Sequence, residues 1–309
     1  MDELRICITG SNGFVAQKFT ELLATQNLST QLLGISKSVN RNLYLTNQQF
    51  IQADLLDNDK INRVLTEFKP THILHTAAIT SVELCEMDKV LAHHINVDVT
   101  KQLANYAANH DCHFTFISTD FVFDGQNGPY QESDSTNPLN EYGHTKVLAE
   151  QYLIKSKCEA AILRTILVYG AIPDRGRSNL VLWAKNQLQN HQAINAVADQ
   201  WRMPTWVDDL ALACLSAMLK RASGIFHISG NEMMSIEEAV YTIAETYHLD
   251  KSLISSINAI DIGQATNRPQ KTGFVLEKSS DVLNFKPTPF VVSLQEINKQ
   301  LHNYSCKQN

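Results

Sequence analysis

The sequence has no apolar run long enough to span a membrane. Its first residues, MDELRICITGSNG, lack the basic flank and long apolar stretch of an export signal. It also lacks a C-x-x-C pair. Its six cysteines (Cys7, Cys85, Cys112, Cys158, Cys214 and Cys306) are scattered, several of them within apolar runs. That spacing excludes a zinc ribbon or a disulfide framework and fits reduced structural thiols in a cytoplasmic protein. No basic tract, low-complexity stretch or internal repeat is present. The 26 basic residues are outnumbered by 32 acidic ones, so a general nucleic-acid binder is not expected. His93-His94 and the pair His72 and His75 have no companion cluster in the sequence, so no metal site is expected there.

What is present is enough apolar material for a large core, 44% of 309 residues. Such a length favours two domains, or one domain with an added lobe. The first half alternates short apolar runs with amphipathic stretches. Strands are expected at 4–9, 30–35, 49–53, 71–78, 112–118 and 160–165, and helices at 13–25, 59–68, 141–157 and along a stretch ending near 109. Nearly continuous apolar strands alternating with helices predict an α/β, Rossmann-type, doubly wound parallel sheet covered on both faces. After Gly170 the pattern loosens. A loop at 171–179 carries two arginines, helices are expected at 179–190, 206–221 and 235–248, and GIFHISG (224–230) reads as a strand. The expected division is a nucleotide-binding domain at 1–170 and 206–230, and a smaller discontinuous substrate lobe at 171–205 and 231–309.

ITGSNGFVA joins the first strand to the first helix. Gly10 permits a tight turn, Gly13 permits close approach of a pyrophosphate to backbone, and Ala16 is small enough for close helix–strand packing. The second strand ends in LLGISKS, where an NAD site usually carries an acid. Ser36 and Lys37, with Arg41 nearby, instead suit a 2′-phosphate and hence NADPH over NADH. Asp54 in QADLLD is placed either to accept from an adenine amino group or to cap a helix. HTAA (75–78) ends a strand with small residues where a flat cofactor can pass. In NEYGHTKVLAE, Tyr142 and Lys146 lie one helical turn apart on one face. A phenol beside an ammonium makes a proton donor of lowered pKa.

The ordered set TGSNGFVA, ADLLD, HTAAITSVELCE, FISTDFVFDG, YQESDSTNPLNEYGHTK and RTILVYG resembles the extended short-chain dehydrogenase/reductase superfamily. Within it, DQWRMPTWVDDLA, GIFHISG and NRPQKTG extend the likeness to the dTDP-4-dehydrorhamnose reductase group across nearly the whole chain. The resemblance implies NADPH-dependent reduction of a keto group on a nucleotide sugar. It implies Tyr142 as catalytic acid, Lys146 as its partner and cofactor clamp, and Thr119 as the hydroxyl holding the substrate carbonyl. Cofactor contacts are then expected along Gly10, Asn12, Gly13, Phe14, Val15, Ser36, Lys37, Asp54, Leu55, Ala77, Ala78 and Thr80. Asp120 is expected at the substrate, and Arg202 and Arg268 at its diphosphate. Leu167 stands where the group typically has tryptophan, and Arg202 where it usually has glycine. An arginine there resembles nucleotide-sugar epimerases and dehydratases, so that reading stays open. So does a regulatory role like that of the methionine adenosyltransferase beta subunit. A homodimer through helices near 83–109 and 141–157 is also implied by the resemblance.

Overall fold

The computed structural model describes residues 3–174, 176, 178–264 and 267–306. Seven strands form one sheet, every neighbouring pair parallel. In chain order they are β1 (Leu4–Thr9), β2 (Thr30–Ser36), β3 (Phe50–Gln52), β4 (His72–His75), β5 (His113–Thr119), β6 (Ala160–Thr165) and β7 (Gly224–Ile228). Their spatial order is β3-β2-β1-β4-β5-β6-β7. The chain winds outward from β1 to β3, then returns to lay β4 on the other side of β1. The expected doubly wound sheet is therefore present, with its direction reversing between β1 and β4. In such sheets ligands bind outside the carboxyl ends of the strands at that reversal.

Strand residues alternate between two cores. Cys7, Leu33, Ile35, Phe114 and Ile162 face helices α2 (Asn58–Phe68), α5 (Val99–Asn109) and α6 (Glu141–Lys155). Ile6, Ile8, Ala161, Leu163 and Phe226 face α1 (Phe14–Thr25) and α8 (Val207–Leu219). Covered on both faces, β4 and β6 are buried at every residue, including His72, His75, Arg164 and Thr165.

The stretch before residue 109 is not one helix. Asp88 closes α3 (Val82–Met87) and caps α4 (Lys89–His93), and a π-helical turn, His94–Asp98, precedes α5. That turn also supplies the companion missing from the sequence reading: Asp98 lies beside both His93 and His94.

Beyond the sheet, α7 (Leu180–Gln189), α9 (Ile236–Thr246) and α11 (Phe290–Cys306) share a core with the paired strands Ile194–Val197 and Ile254–Ile257. Beyond the helix expected at 235–248, where the sequence predicts no further element, lie α10 (Glu277–Leu283) and the 17-residue α11. Phe290, Leu294, Ile297 and Tyr304 form its buried stripe. Tyr304 reaches Lys18 (2.9 Å) and Glu21 (2.6 Å) on α1, which binds the last helix to the first. Five cysteines are buried and unbridged, and Cys306 is exposed. No helix among the described residues is long and apolar enough to cross a membrane. The loop arginines, Arg175 and Arg177, lie outside the described residues.

Candidate active site

A cavity of about 1000 Å³ opens at the carboxyl ends of the strands where the winding reverses. Gly10, with φ +69°, makes the turn out of β1, and a Cβ there would sit 2.9 Å from the backbone of Ala77. A Cβ on Gly13 would lie 2.8 Å from the Gly10 carbonyl. Both glycines are therefore required by the turn itself. Gly13 is the N-cap of α1, which has no side-chain cap and no acid in its first turn. Its first amides and the positive end of its dipole face the cavity, as an anionic diphosphate requires. Asn12, Phe14, Val15, Ala77, Ala78 and Thr80 line the same space.

At the end of β2, Ser36 Oγ accepts from the Asn12 amide (3.1 Å), so it braces the glycine turn. Lys37 is 81% exposed and pairs with Asp54 at 2.8 Å. That pair draws the Asp54 carboxyl below its usual range, helped by the Leu56 amide. Asp54 is not a helix cap, because Asp57 caps α2. An exposed pair of this kind is worth roughly 0–1 kcal/mol, so Lys37 can leave Asp54 for a stronger anion. Arg41, Ser38 and Leu55 complete this end.

Thr119, Asp120 and Tyr142 line the opposite end. α6 starts on Asn140, whose side chain caps the Gly143 amide at 2.8 Å and sets the helix phase that presents Tyr142. The phenol is not lowered, contrary to the sequence expectation. Burial pushes it up, the Asp120 charge adds to this, and Thr119 opposes it. Lys146 does not line the cavity. It is buried, with its ammonium 3.9 Å above the Phe116 ring and no hydrogen-bond partner among the described residues. Burial lowers its pKa to about 7, with Glu150 opposing. Glu150, one turn further along α6, is itself held by Arg164 (2.7 Å) and by the Ser118 hydroxyl. An ammonium buried without hydrogen bonds beside the cavity fits a hydroxyl-bearing ligand.

The Thr119 hydroxyl accepts from the Phe121 amide (3.2 Å) and donates to Asp120 (3.2 Å). Asp120 is buried, which raises its carboxyl pKa, with the Arg202 charge opposing. Thr272 donates to it at 2.5 Å.

Arg202 and Arg268 both line the cavity, but their guanidinium groups are differently committed. Arg202 is buried and donates to the carbonyls of Trp201 (2.7 Å), Pro269 (2.7 Å) and Gln270 (3.2 Å), with Nε 3.8 Å from Asp120. It fastens the 269–270 strand of chain to the site floor. Neither Asp208 nor Asp209 pairs with it; they go to Lys18 and Gln300, and to Thr288. Arg268 instead reaches Glu83 at 2.6 Å, and its buried Nε has no partner among the described residues. Sequence reasoning missed Glu83, Ile95, Gln200 and Ile236 as lining residues. Glu83 sits inside the SVELCE run that carried the resemblance, but nothing local marks which of its side chains faces a cavity. Leu167 also lines it, at φ +41°.

A family model described as the RmlD substrate binding domain matches residues 4–303. Methionine adenosyltransferase 2 subunit beta of Bos taurus is 30% identical over 300 residues, spanning 94% of this chain and 86% of that protein. A dTDP-4-dehydrorhamnose reductase of Aggregatibacter actinomycetemcomitans is 27% identical over 305 residues, spanning 95% of this chain and 98% of that protein. Among solved structures, dTDP-4-dehydrorhamnose reductase from Bacillus anthracis str. Ames in complex with NADP superposes with a TM-score of 0.84 at 24% identity. It covers 97% of this chain and 100% of that one, a likeness of fold.

Proposed function

The chain belongs to the RmlD substrate-binding-domain family of extended short-chain dehydrogenase/reductases, and from that membership we propose that it reduces a keto group on a nucleotide sugar with NADPH. The observation that carries this reading is the single cavity joining an uncapped helix N-terminus at one end to Thr119 and Tyr142 at the other. When bound, NADPH would supply the hydride that the carbonyl carbon accepts. Tyr142, kept protonated by its burial, donates its phenolic proton to the carbonyl oxygen, and the product is the alcohol. Thr119 turns its hydroxyl from Asp120 to the same oxygen. Lys146 directs its unpartnered ammonium to the ribose hydroxyls, and the amides of α1 take the diphosphate. In the same proposal, 1–170 and 206–230 form the cofactor domain, and 171–205 and 231–309 the substrate lobe. Mixing the protein with a dTDP-4-keto sugar and NADPH should consume NADPH stoichiometrically with sugar. A cofactor that is turned over with no net loss would instead indicate an epimerase or dehydratase.

NADPH should bind more tightly than NADH, since Lys37 and Arg41 flank the adenosine end and its one acid, Asp54, is already paired. Lys37→Ala should lower NADPH affinity by about tenfold, near 1.5 kcal/mol, with NADH affinity unchanged. Equal loss for both cofactors in a titration would refute the assignment.

For the substrate diphosphate, Arg268 is the better donor of the two arginines, because Arg202 is consumed by backbone carbonyls. Arg268→Ala should raise the Michaelis constant roughly 10–150-fold at constant NADPH affinity. Arg202→Ala should chiefly lower thermal stability. A normal Michaelis constant in Arg268→Ala would remove the clamp.

A second reading draws on the 30% identity to a methionine adenosyltransferase beta subunit. There the chain would serve as the nucleotide-binding partner of a synthetase. Co-elution with such a synthetase, together with absent keto-sugar reduction, would favour it.

A further inference from the structure

We propose that His93, His94 and Asp98 form a binding site for a late first-row divalent cation, with zinc as the representative ion. Their ligand atoms lie within 4.8 Å of one another. His93 Nδ1 is 3.4 Å and His94 Nδ1 2.8 Å from the same carboxylate oxygen, Asp98 Oδ2. Residues 93 and 98 are five apart, which in an α-helix would separate them by about 140° around the axis. The π turn His94–Asp98, whose hydrogen bonds span five residues, brings both imidazoles to one carboxylate. An ion about 2.1 Å from each of three tetrahedral ligands holds those ligands roughly 3.4 Å apart. The His93–Asp98 spacing already has that value, and His94 must retreat by about half an ångström.

Two imidazoles and one carboxylate select zinc, nickel or copper over magnesium or calcium, which prefer all-oxygen sites. The three side chains are between 41% and 52% exposed, so an ion can enter and a water can complete the shell. The opposing charge is Lys101, whose ammonium lies 3.6 Å from Asp98 Oδ1. It occupies the oxygen that the imidazoles do not face, and it weakens the site without blocking it. The bound ion would brace the turn that carries Ile95 into the main cavity and Asn96 against Ile79 and Thr145.

Calorimetric titration of the chelator-treated full chain with zinc chloride is the test. Because exposed Cys306 lies 3.8 Å from His302 and offers a second zinc-binding pair, the titration is run in Cys306→Ala. One zinc per chain is expected, weakened at least tenfold by His94→Ala or Asp98→Asn and tightened by Lys101→Met. Magnesium should give no heat of binding. Circular dichroism checks that each variant is folded. Absence of binding in Cys306→Ala overturns the proposal, as does undiminished binding in a folded His93→Ala/His94→Ala double variant.

Discussion

Tyr142→Phe should lower turnover by roughly 10²–10⁴-fold and leave NADPH affinity unchanged. The substitution removes one oxygen from a side chain that packs edge-on against Phe121 at 6.1 Å, and that contact survives in phenylalanine. Among the described residues, no other proton donor stands ready at this end of the cavity. Thr119 is engaged with Asp120, and the Lys146 ammonium, over Phe116, is committed in the proposed function to the ribose hydroxyls. Asp120 is occupied by Thr272. Single-turnover decay of NADPH absorbance with saturating keto sugar isolates the chemical step from product release. A Phe variant within tenfold of wild type would mean that the proton comes from elsewhere. Cofactor binding, followed by fluorescence, separates this outcome from a collapsed site.

Arg164→Ala should cost about 3–5 kcal/mol of folding stability, the second large effect. Arg164 and Glu150 are each 2% exposed, and the guanidinium meets the carboxylate through both Nε (3.0 Å) and Nη2 (2.7 Å). Removing the arginine leaves a buried carboxylate with the Ser118 hydroxyl as its remaining side-chain partner. Desolvating that charge dominates the loss. Replacing both members by apolar residues, Arg164→Met with Glu150→Leu, should recover most of it, because the pair itself contributes little net stability. Urea unfolding of the three proteins measures this directly; a single-variant loss below about 1 kcal/mol would show that water reaches the site. Glu150 also opposes the fall of the Lys146 pKa, so the double variant should remain folded while losing NADPH affinity.

The sequence reading recovers the elements whose burial is two-sided or whose caps are local. β1 and β6 agree to the residue, since LRICIT and AAILRT each begin after a glutamate, Glu3 and Glu159, and end on a threonine. α11 was missed although Phe290, Leu294, Ile297, Leu301 and Tyr304 carry a helical period. The cavity-lining set was legible as an ordered series of motifs, and of the residues proposed for cofactor, catalysis and substrate only Lys146 lies outside the lining. Pairings across the fold were not legible. Nothing near Arg202 in sequence indicates that its guanidinium will bind carbonyls at 269 and 270. Lys37 and Asp54 were both singled out, but their ion pair follows from the β2–β3 register. The direction of the Tyr142 shift was misread for a similar reason. Four-residue spacing places a lysine on the same helix face, yet burial decides where its ammonium goes.

Strand order also sets a timetable for synthesis. β6 emerges from the ribosome with its outer edge bare, and β7, its partner through Gly224–Ile228, is made only after the excursion that builds α7 and α8. At about 5–20 residues per second the edge of AAILRT waits roughly 3–12 s. For that interval Ile162 and Leu163 sit on a strand whose unpaired amides can template another chain. Crowded polysomes, more than any fragility of the finished protein, are then where this sequence is most prone to aggregate, and slower initiation should raise its soluble yield.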